Sequence, residues 1–175
     1  MSRNIWLISD THFNHENIIQ YCNRPFGNVH HMNETIIENW NKDIKQEDVV
    51  YHLGDVYFSK KPDSTNILSR LNGRKRLILG NHDDGKDKLL LQTFQKILCW
   101  RMFPEFGLIL THVPIHVDSM RGHKAGIDLV NVHGHMHDKM VLLENKRPDS
   151  RYKNVSVEHT NYAPVNIESL RTGNV

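Results

Sequence analysis

The chain has 175 residues, of which 38% are hydrophobic, and its formal net charge is +2 at pH 7. This charge is too small to indicate nucleic acid, no apolar run approaches the roughly 20 residues that cross a bilayer, and two cysteines do not make a disulfide framework. We expect a single domain over residues 1–175. We place it in the cytoplasm because the N-terminus lacks the pattern of a signal peptide.

The predicted elements of the first half alternate between strands and helices. Apolar runs that end at charged or glycine residues indicate strands, and apolar residues at a spacing of three or four indicate helices. In chain order we predict a strand over 5–8, a helix over 31–44, a strand over 48–53, a helix over 62–71, a strand over 76–79 and a helix over 86–93.

The second half is predicted to be mostly β. We expect strands over 97–103, 106–111, 128–133, 140–144 and 154–158. A βαβαβ half followed by a β-rich half predicts an α/β fold in which two packed sheets are covered by helices.

Polar side chains follow three successive strands of the first half. Asp10 and His12 come after the first strand, Asp55 after the second, and Asn81 and His82 after the third. Because functional residues of parallel α/β sheets gather beyond the carboxyl ends of the strands, we expect these segments to meet at one place.

The segment VNVHGHMHD, residues 130–138, carries histidines at alternating positions, His133, His135 and His137. If the strand continued, the three rings would lie on one face, and Gly134 predicts a bend or a close approach of the backbone there. His112 follows another predicted strand. Since histidine is the commonest metal ligand among side chains, and the chain has 13 of them, we expect a metal site.

The candidate ligands are carboxylates, one amide and imidazoles, without cysteine. Such a set suits Mn²⁺, Fe, Zn²⁺, Ni or Co better than Ca²⁺ or Mg²⁺, and Mn²⁺ is the ion that we expect first. The number of candidate ligands is larger than one tetrahedral metal site needs, so we expect two divalent metal ions bridged by one carboxylate. The candidates are Asp10, His12, Asp55, Asn81, His112, His135 and His137.

These blocks resemble the calcineurin-like metallophosphoesterase family. Asp-x-His at 10–12, Gly-Asp at 54–55, Gly-Asn-His-Asp at 80–83, His112 and Gly-His-x-His at 134–137 occur in the order of that family, and ISDTHFNHENII resembles its small bacterial and phage members. The resemblance implies a two-sheet β-sandwich flanked by helices, with a dinuclear site at a sheet edge. It assigns Asp10, His12 and His137 to one ion, Asn81, His112 and His135 to the other, and Asp55 to both.

The resemblance also implies a metal-dependent phosphoesterase. A hydroxide held between the two ions would attack phosphorus, His82 would protonate or stabilise the leaving oxygen, and Asp83 would orient His82. A phosphodiester is preferred over a monoester, because so small a chain leaves little room for a domain that caps the site. For substrate contacts we name His15, His116 and Arg24, and we expect His133 and His52 to be structural or to support ligands.

Two alternatives stay open. A nuclease acting on DNA or RNA would need a basic groove lined with aromatic residues, and the composition gives no sign of one. A protein-binding scaffold, as the same fold provides in the retromer complex, would be expected to lose ligands that this sequence retains. The expected partner is a phosphate ester, with nucleotide-like diesters among the candidates, and no membrane.

Overall fold

The computed structural model describes residues 4–58, 62–122 and 128–172, and its strands form two sheets. The strands are β1 (Ile5–Ile8), β2 (Val49–His52), β3 (Arg74–Ile78), β4 (Lys96–Leu98), β5 (Trp100–Phe103), β6 (Leu108–Thr111), β7 (Val130–His133), β8 (Tyr152–Asn154) and β9 (Val165–Asn166). The helices are α1 (Glu16–Tyr21), α2 (Val29–Asp43), α3 (Pro62–Ser69) and α4 (Lys88–Thr93), and short 3₁₀ helices span Pro104–Phe106, Val117–Ser119, Val157–His159 and Ile167–Leu170.

The first sheet has the order β4-β3-β2-β1-β9 and the second the order β5-β6-β7-β8. In the first sheet β1 to β4 are parallel and β9 is antiparallel to β1. Ile8 pairs with His52 and His52 with Leu77, so β1, β2 and β3 end at the same edge. In the second sheet β6, β7 and β8 are parallel, and β5 is an antiparallel edge strand.

The first sheet is buried on both faces. Successive residues of its strands point to opposite sides, and each side packs against a different layer. Ile8 and Val50 pack with residues of all four helices in one hydrophobic cluster. Leu7 and Tyr51 point the other way and pack against Leu110 of the second sheet. The predicted two-sheet α/β fold with helices outside is therefore confirmed. The expectation of one domain over residues 1–175 stays a prediction, which this shared core supports.

The longest described helix, α2, forms where a cap and an apolar stripe coincide. The side chain of Asn28 accepts a hydrogen bond of 2.9 Å from the backbone N–H of His31, which satisfies one of the free donors of the first turn. Buried residues then recur at helical spacing through Ile36 to Trp40 and cover the first sheet. None of the helices in the described ranges is long and apolar enough to span a membrane.

The second half corrects several predicted boundaries. The strand predicted over 97–103 is two strands, because the chain leaves the first sheet after β4 and enters the second at β5, with Cys99 between them. The segment 140–144 forms only an isolated bridge between Leu142 and Pro148. The strand predicted over 154–158 lies earlier, as β8, and is followed by the 3₁₀ helix Val157–His159. Helix α1 and strand β9 were not predicted.

Candidate metal centre

The loops after β1 and β2 lie side by side and are joined by backbone hydrogen bonds. The backbone N–H of Asp10 donates to the carbonyl of Gly54, and that of His12 donates to the carbonyl of Asp55, each at 3.0 Å. The loop after β7 joins them, because the backbone N–H of His135 donates to both carboxylate oxygens of Asp10 at 2.9 and 3.1 Å. Residues more than 120 positions apart thus meet at one edge.

Five candidate ligands have a left-handed backbone. Their φ angles are 58° for Asp10, 46° for His12, 58° for Asp55, 66° for His135 and 50° for His137. Non-glycine residues adopt this region only at a cost, which the surrounding structure must cover, and such residues concentrate at functional sites. The strained turns point the side chains of three loops towards a common centre.

The turn after β7 changes the arrangement expected for the three alternating histidines. The strand ends at His133, so the rings of His133, His135 and His137 do not share one face. A Cβ atom on Gly134 would overlap Ser9 Oγ and Asp10 Oδ2, and only glycine lets the backbone approach so closely. The predicted close approach at Gly134 is therefore present in the structure.

The first group of ligand atoms belongs to Asp10, His12 and His137, and these atoms lie within 4.8 Å of one another. Both ring nitrogens of His12 are buried, and neither has a hydrogen-bond partner among the described residues. A buried polar atom without a partner is costly and requires an explanation. A metal ion that accepts the lone pair of a ring nitrogen would explain the missing partner, so these residues fit a cation.

The second group consists of Asp55, His112 and His135, again within 4.8 Å, together with Asn81. The Oδ1 atom of Asn81 lies 2.9 Å from His112 Nε2 and 2.8 Å from His135 Nδ1. Because His112 Nδ1 donates to the Leu53 carbonyl at 2.6 Å, the Nε2 of a neutral ring carries a lone pair that faces the Asn81 oxygen. Acceptors that face one another in this way fit a cation between them.

Asp55 lies between the two groups. Its Oδ2 is 3.4 Å from His12 Nε2 and its Oδ1 is 3.6 Å from His112 Nε2. Burial raises the pKa of the Asp55 carboxyl, but the adjacent imidazole of His12, the nearby His112 and the backbone N–H of His82 outweigh burial and hold this pKa well below its usual range. Asp55 is thus a carboxylate with one oxygen towards each group, which is the position of a bridging ligand.

His137 is held by an ion pair that the sequence did not reveal. Its Nδ1 lies 3.0 Å from Glu158 Oε1, and Arg24 Nη2 lies 2.7 Å from the same oxygen. Burial lowers the pKa of His137, but hydrogen bonds with Cys22 and Glu158 and the charge of Asp10 outweigh burial and raise it to about 10. A carboxylate behind a ligand histidine fixes the orientation of the ring.

Arg24 does not face the cleft where a phosphate contact was expected. Its side chain is fully buried, and its guanidinium donates to Glu158 and to the backbone carbonyls of Asp10 and Thr11. All of these partners belong to the protein. We therefore correct the expected role of Arg24 from substrate contact to positioning of the first ligand group.

Asp83 also has a different position from the expected one. Its carboxylate accepts hydrogen bonds from the backbone N–H groups of Asp55, Val56 and Gly80 at 2.9 to 3.1 Å. Within the described part of the chain no hydrogen bond joins it to the ring of His82. Asp83 therefore fixes the loop that carries Asp55, and its expected role of orienting His82 is revised.

A cleft of about 510 Å³ opens over the first group. His82 and His15 both line it, and each ring centroid is 5.5 Å from that of His12. His15 stacks on Phe58 with centroids 4.1 Å apart, and burial together with the nearby His12 lowers its pKa to about 4. His82 and His15 can thus reach a ligand in the cleft.

Three other histidines lie outside the two ligand groups. His116 is 75% exposed and accepts a hydrogen bond from the backbone N–H of Asp118, so it caps a 3₁₀ helix and does not line the cleft. His133 is buried and donates to the carbonyl of Gly134. His52 is buried against the hydroxyl of Thr11, and burial lowers its pKa to about 3.

Besides Glu158, sequence reasoning missed Cys22 and Phe58. Cys22 lines the cleft and forms a third close group with His137 and Glu158. Phe58 stands three residues after the second strand-end block, so proximity to Asp55 was the signal that could have indicated it. Cys22 and Glu158 are 10 and 21 residues from the nearest ligand and carried no comparable signal.

The order of the ligand blocks, the two-sheet fold and the convergence of the candidate ligand atoms are typical of the metallophosphoesterase fold, and comparison with known families agrees. The family model of the calcineurin-like phosphoesterase superfamily domain matches residues 4–154. The chain therefore belongs to the calcineurin-like phosphoesterase superfamily, whose members use divalent metals. The family predicted from the sequence motifs is confirmed.

The chain is also similar to several individual proteins. An uncharacterized protein of Methanocaldococcus jannaschii is 40% identical over 174 residues, which is 96% of this chain and 89% of that protein. The Gene 66 protein of Mycobacterium phage D29 is 36% identical over 83 residues, 46% of this chain and 40% of that protein. The crystal structure of a protein of unknown function from Aquifex aeolicus superposes with a TM-score of 0.71 and 28% identity, covering 97% of this chain and 98% of that one.

Proposed function

We propose that the protein is a phosphodiesterase that uses two divalent metal ions, with Mn²⁺ preferred. The observation that carries this proposal is the pair of ligand groups, Asp10/His12/His137 and Asp55/His112/His135, which meet at Asp55. Asn81 completes the second group through its amide oxygen. Two bound divalent ions would supply positive charge for the phosphate oxygens and lower the pKa of a water that acts as the nucleophile.

The side chains around the cleft have distinct roles in this proposal. His82 donates a proton or a hydrogen bond to the leaving oxygen as its negative charge develops. It suits this role because its ring lies beside His12, is exposed to the cleft, and is anchored through its backbone N–H to Asp55 at 3.0 Å. His15 lies beside the same cleft and contacts the ester group that leaves, with Phe58 supporting its ring.

The open cleft favours a diester over a monoester. A monoester carries one more negative charge than a diester and needs additional cations near the phosphate. Lys139 lines the cleft, but Arg24 is buried behind the ligands and its donors are bound to protein oxygens. A site with few free cations beyond the metals fits the lower charge of a phosphodiester.

The first test is hydrolysis of bis-p-nitrophenyl phosphate and p-nitrophenyl phosphate, with added Mn²⁺ or with EDTA. We expect metal-dependent turnover with preference for the diester, and a loss of about 10² to 10⁴-fold in kcat for His82→Ala. His30→Ala is a matched control, because His30 is exposed on α2 away from the cleft. Two bound metal equivalents without turnover of either ester would contradict the proposed function and favour the scaffold.

The role of His82 has its own test. Phenolate is a poorer leaving group than p-nitrophenolate and gains more from a proton donor. We therefore expect His82→Ala to slow methyl phenyl phosphate more than methyl p-nitrophenyl phosphate. Equal losses for the two esters would show that His82 does not assist the leaving oxygen.

A further inference from the structure

An apolar cavity of about 540 Å³ opens beside the second ligand group, and His12 is not among the described residues that line it. The cavity shares Asn81 and His112 with that group, so a group bound in the cavity would lie next to a phosphate bound at the candidate metal centre. The described residues that line it include no lysine, arginine, aspartate or glutamate, and its walls are largely the apolar side chains Leu79, Met102, Ile109, Val113 and Ile115. A cavity of this size and character suits an uncharged organic group.

Trp100 borders this cavity from the edge strand β5. It is 53% exposed, whereas Trp40 is fully buried and Trp6 packs against the core. A large aromatic ring exposed at the rim of an apolar cavity offers a face on which another flat ring can stack. The cavity is thus better suited to an aromatic group than to a flexible alkyl chain.

A basic cleft of about 410 Å³ lies next to the cavity and shares Trp100 and Met102 with it. Arg76, Lys96 and Arg101 line this cleft, and no acidic residue does so in the described ranges. Arg76 donates through Nη1 to the hydroxyl of Tyr51, and its buried Nε atom has no hydrogen-bond partner among the described residues. Arginine donors in such a cluster suit a phosphate group.

The three features follow one another across the surface: metal ligands, apolar cavity, basic cleft. We propose that the substrate is a nucleotide-class phosphodiester that carries a second phosphate. The scissile phosphate lies at the candidate metal centre, the base stacks on Trp100 in the apolar cavity, and the second phosphate lies among Arg76, Lys96 and Arg101. This assignment rests on the proposed function, since it names the substrate class of the same site.

The reaction is hydrolysis and needs no further reactant. The oxygen of a water molecule forms a bond to phosphorus, the bond between phosphorus and the leaving oxygen breaks, and the leaving oxygen takes a proton. Among the described residues that line the apolar cavity and the basic cleft, one exposed aromatic ring and one cluster of cations provide for a single nucleoside and its second phosphate. A long strand would need repeated stacking positions along a basic track.

Three esters with the same leaving group test the assignment. Methyl p-nitrophenyl phosphate has neither extra group, thymidine 5′-(p-nitrophenyl phosphate) adds the base, and its 3′-phosphate derivative adds the second phosphate. Because p-nitrophenolate leaves in every case, differences in kcat/KM report recognition of the retained group. We expect kcat/KM to rise by about tenfold for the base and by a further factor of about three for the 3′-phosphate.

Two substitutions separate the two contributions. Trp100→Ala should remove most of the advantage of thymidine over methyl, and Arg101→Ala should remove the advantage of the 3′-phosphate while the advantage of thymidine remains. Leu91→Ala and Lys88→Ala are the apolar and charged controls, because both residues are exposed on α4 and line neither the cavity nor the cleft. Equal kcat/KM for the methyl and thymidine esters, unchanged by Trp100→Ala, would overturn the proposal.

A binding measurement keeps this inference distinguishable from the proposed function. Thymidine 3′,5′-bisphosphate is titrated into EDTA-treated protein by calorimetry, with inorganic phosphate in parallel, and we expect the bisphosphate to bind more tightly and Trp100→Ala to weaken it. If the bisphosphate binds but none of the esters is hydrolysed, the proposed function fails while the recognition site stands. If the methyl and thymidine esters are hydrolysed equally, the proposed function stands and the substrate assignment fails.

Discussion

The two ligand groups of the candidate centre are held in place by different means. The first group depends on side-chain charge: Arg24 binds Glu158, and Glu158 binds His137. The second group depends on the backbone: His112 donates to the Leu53 carbonyl, and Asp83 accepts from the N–H groups of the turn at Asp55. One side is therefore sensitive to charge and the other to the path of the chain.

This difference predicts different responses to substitution. An isosteric change that removes charge should weaken the first group and leave the second intact. An added methyl group in the turn beside Asp55 should displace the second group even though it changes no charge. The predictions below use this contrast, beginning with the largest expected effect.

The largest effect is expected for Gly80→Ala. A Cβ atom on Gly80 would overlap the carboxylate and the backbone nitrogen of Asp55, so Asp55 must move. Because Asp55 faces both ligand groups, we expect metal-dependent phosphodiesterase activity to fall by about 10²-fold or more. In other enzymes, a displacement of catalytic groups by about 1 Å lowers the rate by about this factor. Steady-state kinetics with bis-p-nitrophenyl phosphate at saturating Mn²⁺ measures the loss.

Gly27→Ala is the matched control for this substitution. A Cβ atom on Gly27 would meet nothing within 4 Å, so the same chemical change should leave kcat within about twofold. If Gly80→Ala retained the activity of Gly27→Ala, the position of Asp55 would not limit the reaction. The backbone would then not be the means by which the second group is held.

An intermediate effect is expected for Glu158→Gln, which removes the charge behind His137 and keeps the shape of the side chain. Loss of a carboxylate that supports a ligand histidine weakens metal binding by about 10 to 100-fold. We expect this loss for one of two bound Mn²⁺ ions, since the second group has no contact with Glu158. Calorimetric titration of the metal-free protein with Mn²⁺ resolves the two binding steps.

The control for Glu158→Gln is Glu34→Gln. Glu34 also pairs with an arginine, Arg70, at 2.6 Å, but both side chains are at least 41% exposed and lie on the surface. We expect both Mn²⁺ affinities to stay unchanged in this variant. Equal weakening of the two sites by Glu158→Gln would mean that the ion pair supports the whole centre and that the contrast between the two groups is wrong.

The sequence predicted those site residues that directly follow a strand, because the end of the strand fixes their position in the fold. Asp10, Asp55 and Asn81 follow strands that end at one sheet edge, so chain order alone brought them together. Those assignments as metal ligands remain proposals, whereas the fold class and the family are confirmed. The crossing at Cys99 could not be predicted, because the apolar pattern of 97–103 does not change where the chain changes sheets.

Glu158 and Arg24 show why the support of the centre was not predictable. Glu158 reaches His137 because β7 and β8 pair in a register that matches His133 with Asn154, which places the segments after both strands side by side. Arg24 reaches Glu158 across 134 residues. The sequence indicated a cation near the first loop, but which face of the ligands it occupied depended on these long-range contacts.

The smallest effect concerns the pH dependence of stability in the metal-free protein. Burial raises the pKa of Glu158, but His137 and Arg24 outweigh burial and lower it to about 2 from an ordinary value of 4.5. A carboxyl whose pKa is lower in the folded state stabilises the fold above pH 4.5, and this contribution is lost as the pH falls towards 2. The raised pKa of His137 acts in the opposite sense only down to its ordinary value of 6.5, below which the ring is protonated in both states. Between pH 5.5 and pH 4 the loss from Glu158 therefore remains, and it amounts to about 1 kcal/mol.

Urea unfolding of wild type and Glu158→Gln, both in EDTA, measures this loss as a difference in the free energy of unfolding that shrinks from pH 5.5 to pH 4. For Glu34→Gln the bond from Arg70 lowers the pKa of Glu34, so the direction is the same. Because that pair is exposed to solvent, its difference should stay below about 1 kcal/mol at every pH. If the two variants showed the same pH dependence, the buried pair would stabilise no more than a surface pair, and the first ligand group would not depend on its charge.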